Sequence, residues 1–84
     1  MKTPVDPSPG LMRLFQDREG RCVLLHKAGI AVSFWLDDAR TVHVVERIAG
    51  IDFKATGSQL KRDGWTCVGP GTAYASLLDE LDPA

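Results

Sequence analysis

Several residue types that mark common protein classes are absent or rare in this chain of 84 residues. It has no asparagine, which excludes an N-glycosylation acceptor. Its two cysteines are too few for a disulfide scaffold, and they lie far apart without the spacing of a zinc site. No apolar run approaches the length that spans a bilayer, and the proline-rich N-terminus has no apolar signal region. These absences favour a soluble protein in a reducing, cytoplasmic setting, with no membrane partner.

Positive charge is missing from the last quarter of the chain. Residues 1–62 hold ten lysines and arginines against seven acids, whereas residues 63–84 hold four acids and no base. Three of these acids, Asp79, Glu80 and Asp82, fall at the end of a predicted helix, where the negative end of the helix dipole disfavours them. Because acids in that position suit contact with a basic surface, they are candidate contacts for a basic protein partner.

Four apolar segments of similar length are separated by clusters of glycine and aspartate. They begin at residues 11, 21, 30 and 41, and their β-branched and aromatic residues predict an antiparallel β-meander. A fifth short run over residues 65–68 makes the predicted sheet four- to five-stranded. Alternation on the third strand places Val32 and Phe34 on the inner face and Trp35 on the outer face.

The same alternation assigns the faces of the fourth strand. Val42 and Val44 are predicted to point inward, and His43, Val45 and Arg47 are predicted to point outward. The first two strands are apolar on both sides, so alternation fixes their registers less firmly.

Two helical segments complete the predicted fold. Asp52 is in position to cap a short helix over about 53–63, although Gly57 inside this segment favours a short or broken helix. Apolar residues at i, i+3, i+4 and i+7 predict a C-terminal amphipathic helix over 72–82, packed on one face of the sheet. We therefore predict an extended, proline-rich arm over 1–10 and a single α+β domain over 11–84.

Side chains suited to catalysis are few and poorly placed. A Cys–His pair requires a thiol beside an imidazole, but Cys22 and His43 are predicted on opposite faces, and Cys22 and His26 lie too far apart along one strand. Asp37 precedes a second aspartate and has the features of a turn residue rather than a metal ligand. We therefore predict a protein that is not an enzyme and has no metal or cofactor, while a bridge between Cys22 and Cys67 stays open.

One glycine-rich segment invites comparison with a phosphate-binding loop. Gly69-Pro70-Gly71-Thr72 follows a predicted strand and precedes a predicted helix, but no lysine follows the glycine and Pro70 lacks an N–H. The pattern is better explained by a turn in which Thr72 caps the following helix.

Two functions of different classes fit these features. The first is a small protein-binding module, a regulator or inhibitor that occupies a partner's surface, as phages and plasmids often encode; a homodimer is also compatible. Its predicted contacts are exposed sheet residues and the acidic helix end, namely Phe15, Trp35, His43, Arg47, Asp79, Glu80 and Asp82. The alternative is a single-stranded nucleic-acid-binding protein that uses the open sheet face. Its predicted contacts are Arg13, Arg21, Lys54, Lys61 and Arg62.

Overall fold

The computed structural model describes residues 8–80, and the side chains of residues 8–78. Five strands form one antiparallel sheet, as predicted, and the α+β class is confirmed. In chain order the elements are β1 (Met12–Gln16), β2 (Arg21–His26), β3 (Ile30–Leu36), β4 (Val42–Ala49), α1 (Phe53–Arg62), β5 (Thr66–Gly69) and α2 (Leu77–Glu80). Short 3-10 turns occupy Pro9–Leu11 and Thr72–Tyr74. Residues 1–7 of the predicted arm lie outside the described residues, and Pro9–Leu11 is a turn rather than extended chain.

The sheet has the strand order β4-β3-β2-β1-β5, so the chain crosses the whole sheet between β4 and β5. The first four strands form the predicted meander, and α1 lies in the connection that carries the chain from one edge to the other. Because β5 pairs with β1, residues about fifty positions apart in the sequence become neighbours at that edge, such as Phe15 and Cys67.

The two faces of the sheet carry separate hydrophobic cores, one beneath each helical segment. The inner face predicted from β3 is confirmed, because Val32 and Phe34 are buried there with Leu24 beneath Leu77 and Leu78. Val42 and Val44 pack at the margin of the same core, also as predicted.

The opposite face is covered by α1. It buries Phe15, Val23, Leu25 and Ala31, with Phe53 and Leu60 packed against them. The two helical segments therefore lie on opposite sides of the sheet, and the central strand β2 carries buried apolar residues on both faces.

Helix α1 is continuous despite Gly57. It begins at Phe53 because the carboxylate of Asp52 accepts a hydrogen bond from the backbone N–H of Ala55 at 3.0 Å, which confirms the predicted cap. The short helix predicted over about 53–63 is confirmed and has no break, since the apolar contacts of Phe53 and Leu60 with the sheet offset the cost of an internal glycine.

The C-terminal helix is shorter than predicted within the described residues. A 3-10 turn at Thr72–Tyr74 precedes α2, and the turn residues Ala75 and Ser76 join the two. Thr72 does not cap a helix, because Gly71 occupies the N-cap position at φ 72° without any side-chain hydrogen bond. The apolar positions of the pattern nevertheless pack as predicted: Leu77 and Leu78 are buried, and the Tyr74 ring lies 4.9 Å from that of Phe34 between centroids.

Candidate functional site

The face covered by α1 has an exposed end at the tips of the β1–β2 and β3–β4 hairpins. Trp35 and Val45 are exposed there, with 42% and 69% of their surfaces accessible. Ile48, also exposed, lies opposite Ala31 on the same face. Large apolar side chains left uncovered together on one side of a sheet are typical of contact surfaces.

Four side chains form a row across this exposed end, which we call the aromatic row: His43, Trp35, Arg21 and Trp65. The His43 and Trp35 rings are stacked, with centroids 4.2 Å apart and planes inclined by 15°. Arg21 lies opposite Trp35 in the β2–β3 register, and its Cζ is 5.9 Å from the Trp65 ring centroid. The row thus combines stacking with a cation–π contact, and each member restricts the rotamers of its neighbour.

Carboxylates in the two hairpin loops hold the row at two points. Asp37 accepts a hydrogen bond from His43 Nε2 at 2.8 Å, and Asp17 accepts one from Arg21 Nε at 2.6 Å. In both loops the second carboxylate oxygen accepts backbone N–H bonds from the residues two and four positions later. Each aspartate therefore uses one carboxylate oxygen to close its turn and the other to orient a member of the aromatic row. This confirms the turn role predicted for Asp37.

These hydrogen bonds also determine the charge state of the loop carboxylates. The hydrogen bond from His43 lowers the pKa of Asp37 below its ordinary value of 3.8, assisted by the Thr41 backbone N–H. Desolvation raises the pKa of Asp17, but hydrogen bonds from the backbone and side chain of Arg21 outweigh it and leave a net lowering. Both groups are therefore ionised at neutral pH.

A groove of about 240 Å³ runs between Trp35 and Trp65. Val23 and Ser33 lie along it, and Val45 contributes to its wall. Because its walls are mostly apolar and its rim carries Arg21, the groove suits an apolar side chain flanked by a polar or acidic group.

Five of the predicted sheet contacts do share this face: Arg13, Phe15, Arg21, Trp35 and His43. The predicted exposure of Phe15 is wrong, because α1 packs over it and leaves 2% of its surface accessible. The β1 pattern is apolar on both sides and contains nothing that indicates which of its residues a helix covers.

The predicted position of Arg47 on the outer face is also wrong. A bulge in β4 sets Val44 opposite Phe34 and Glu46 opposite Ser33, so Val45 is an extra residue. Every side chain after the bulge is therefore shifted to the other face from the one that simple alternation assigns. Arg47 points to the inner side, where its guanidinium donates to the Leu78 carbonyl oxygen at 2.9 and 3.2 Å.

The basic residues predicted for nucleic acid are divided between two places. Arg13, Lys54 and Lys61 surround one cleft beside α1, whereas Arg21 and Arg62 line another with Asp17, Glu19 and Asp63. The side chains of Asp79 and Glu80, and residue Asp82, lie outside the description, so the predicted acidic contact stays a prediction.

Trp65, Asp17 and Val45 are members of the site that sequence reasoning did not select. Trp65 follows a helix and precedes a strand, and only the pairing of β5 with β1 brings it to Arg21. The run of turn residues after β1 was the available signal for Asp17, which holds Arg21 in position.

Cys22 and His43, which were considered as a nucleophilic pair, do not meet. Both cysteines are free, with Cys22 buried and Cys67 exposed, and burial raises the pKa of the Cys22 thiol. Cys22 pairs with Phe34 and His43 with Trp35, so thiol and imidazole lie on opposite faces, as predicted. Within residues 8–80, no three His, Cys, Asp or Glu side chains are grouped to hold a metal ion. In the same part of the chain, no helix has both the length and the apolar character to cross a membrane.

No protein-family model, curated protein or solved structure matches this chain.

Proposed function

We propose that this protein is a non-enzymatic protein-binding module, of the regulator or inhibitor type, that acts by occupying a partner's surface. The contact is the aromatic row with the groove between Trp35 and Trp65. The observation that supports the proposal most strongly is the exposed Trp35, stacked on His43 and flanked by Arg21 on an uncovered end of the sheet.

The composition of the row favours a protein partner. Tryptophan, tyrosine and arginine dominate the energetics of protein interfaces, where a few of them supply most of the binding free energy. In this chain two tryptophans and an arginine lie together, and Val45 extends the apolar area. The partner best suited to the groove presents an apolar side chain at the centre of its own contact surface.

The fixed geometry of the row also favours binding. Each immobilised side chain costs about 0.5–1.5 kcal/mol when an interface forms, and a side chain that is already held avoids part of that cost. His43 and Arg21 are each held by a loop carboxylate, and Trp35 is stacked on His43. Rigid aromatic anchors of this kind are typical of surfaces that bind without rearrangement.

Single-stranded nucleic acid is a poorer occupant of the row. A base stacks on an open ring face, but His43 covers one face of the Trp35 indole. Asp17 and Asp37 add negative charge beside the row, and the chain as a whole carries a net charge of −1. Both features weaken contact with a phosphate backbone.

The proposal is tested by affinity capture from a lysate of the source organism, followed by measurement of the dissociation constant for the captured protein. Trp35→Ala should weaken binding by about 30-fold or more, since truncation of a central anchor costs about 2 kcal/mol or more. Val68→Ala is the matched control, because Val68 is 52% exposed but lies on β5 outside the row. Thermal unfolding of both variants shows whether the fold is retained.

Two results would contradict the proposal. One is binding that Trp35→Ala and Arg21→Ala leave within twofold of wild type. The other is capture that disappears after nuclease treatment while a single-stranded oligonucleotide is retained on filters at low salt, which would favour the nucleic-acid function.

A further inference from the structure

A second cavity lies beside α1, separate from the groove of the aromatic row. It has a volume of about 260 Å³ and lies between α1 and the strands β1, β2 and β5, and no residue lines both cavities. We call it the basic cleft. It is smaller than the pockets of about 300–1,000 Å³ that hold drug-sized ligands, so its occupant is a small molecule.

The floor of the basic cleft is apolar. Phe15 and Leu25 close its base with 2% and 0% of their surfaces accessible, so the apolar surface open to a ligand is chiefly that of the half-buried Phe53 of α1. Phe15, Leu25 and Phe53 are fixed by the packing of α1 on the sheet. A ligand body that covers the accessible side of Phe53 is therefore apolar.

Among the described residues, the rim of the cleft carries only positive charge. Arg13, Lys54 and Lys61 line it, and no carboxylate of residues 8–78 does. Among the described side chains none of the three forms an ion pair, although Arg13 donates one hydrogen bond to the Met12 carbonyl oxygen at 2.9 Å. Lys54 and Lys61 are seven residues apart, about 10 Å along the helix axis, so the charges surround the cleft rather than meeting at one point.

Gly57 supplies an independent observation. An interior helical glycine costs about 1 kcal/mol relative to alanine, and a Cβ added here would lie 3.6 Å from Phe15 Cζ and 3.8 Å from Leu25 Cδ1. Those are ordinary van der Waals distances, so the packing of α1 does not require glycine. The residue does, however, keep the helix surface over the cleft free of side-chain atoms, which a binding cavity needs.

We propose that the basic cleft binds a small amphipathic carboxylate, with its apolar body against Phe53, above the buried Phe15 and Leu25, and its carboxylate beside one of the basic side chains on the rim. The apolar surface of Phe53 selects against inorganic anions and highly polar metabolites. The positive rim selects against neutral and cationic amphiphiles of the same size.

The probe for this proposal is octanoate. Its binding is measured at low salt from changes in the backbone amide chemical shifts of the isotopically labelled protein. The expected result is a saturable set of shifts in α1 and in β1 around Arg13 and Phe15. Octanol and octylammonium, which have the same apolar chain, are expected to bind at least about fivefold more weakly. Protection of the Cys67 thiol from iodoacetamide by octanoate gives a second readout, because Cys67 also lines the cleft.

Variants separate the contributions of space and charge. Gly57→Leu fills the cleft and should weaken octanoate binding at least about tenfold, while Gly57→Ala should stabilise the helix and weaken binding less. Lys54→Gln and Lys61→Gln should each weaken binding about two- to fivefold, as expected for exposed ion pairs. Arg18→Gln is the charge control and Trp35→Ala the site control, since neither residue lines the cleft.

The proposal is overturned if octanoate shifts fall outside the cleft, if octylammonium binds as well as octanoate, or if both Gly57 variants bind like wild type. A single-stranded oligonucleotide that gives the same shifts at lower concentration than octanoate would also overturn it, because the cleft would then be part of a nucleic-acid surface. The test does not depend on the aromatic row, so its failure leaves the proposed protein-binding function standing.

Discussion

Gly71 provides the most direct test of how the C-terminal segment is seated on the inner core. Its φ of 72° lies in the left-handed region, and a Cβ built on it would come within 2.8 Å of both Leu14 Cβ and Leu24 Cδ1. Side-chain atoms do not approach that closely without displacement. Leu14 Cβ is attached directly to the backbone of β1, and Leu24 is fully buried, so neither neighbour can move aside freely.

The expected loss on Gly71→Ala is the sum of two effects. The left-handed conformation costs a non-glycine residue about 1–2 kcal/mol, and an extra methyl group in a packed core costs about 1–3 kcal/mol. The total of about 2–5 kcal/mol is a large part of the roughly 4–13 kcal/mol expected for a chain of this length. We therefore expect Gly71→Ala to remove much of the stability of the fold.

Gly64→Ala is the matched control for the conformational part. Gly64 also has a positive φ, of 94°, but no atom lies within 4 Å of a Cβ added there. In urea unfolding followed by tryptophan fluorescence, Gly71→Ala should lower the midpoint by about 1–2 M more than Gly64→Ala. Equal losses in the two variants would refute the close contact with Leu14 and Leu24.

A double variant tests the contact itself. Leu24→Val removes the δ-methyl groups of Leu24 and with them one of the two close contacts that an alanine at position 71 would make. The combined loss should therefore be smaller than the sum of the single losses by about 0.5 kcal/mol or more. Strict additivity would show that the two positions do not meet.

Two further predictions follow from the loops and the thiols. Because the pKa of Asp37 is lowered in the folded state by the hydrogen bond from His43, its contribution to stability is complete above its unfolded value of 3.8 and is lost as the pH falls through the lower folded pKa. The free energy of unfolding should therefore decrease as the pH falls from about 5 to about 2, and it should decrease less steeply in Asp37→Asn. Equal pH dependence of the unfolding free energy in wild type and Asp37→Asn would contradict this role of Asp37. At neutral pH, iodoacetamide should alkylate Cys67 in the native protein and Cys22 only after unfolding, because Cys22 is buried and its burial raises the pKa of its thiol. Mass spectrometry of the labelled peptides measures both rates, and equal native rates would be incompatible with the structure.

The alternation on β3 was a reliable guide because its two sides differ in chemistry. Val32 and Phe34 alternate with Ser33 and Trp35, so only one face of this strand suits a core. The inner core and the exposure of Trp35 could both be predicted from these few residues. The Asp52 cap was equally clear, since aspartate accepts the free N–H groups of a first helical turn.

The faces of β1 and of the second half of β4 could not be predicted in the same way. Phe15 is buried because α1 crosses above it, and the path of α1 depends on β5 pairing with β1 rather than with β4. Arg47 changes face because of the bulge at Val45, and the local sequence contains neither the glycine nor the proline that often marks such an irregularity. The burial of Phe15 thus depends on contacts between distant parts of the chain, whereas the bulge is a local irregularity that the sequence does not mark.

The aromatic row depends on the same long-range pairing. The proximity of Trp35 and His43 follows from a single hairpin, so it could be inferred from neighbouring segments. The arrival of Trp65 beside Arg21 requires the whole crossover from β4 to β5, which no short pattern specifies. The contact between Trp35 and His43 is therefore local in sequence, whereas the contact between Arg21 and Trp65 depends on the topology of the sheet.

The bulge at Val45 has a consequence for how this surface can evolve. Deleting Val45 would close the bulge and leave Glu46 opposite Ser33 and Arg47 opposite Val32, because the residue removed is the extra one. A one-residue slip that paired Val45 with Ser33 would instead turn Arg47 to the exposed face and break its hydrogen bonds to Leu78. The edge strand can therefore lose a residue at this point with the loss of one exposed side chain, while the remaining residues of β4 keep their faces.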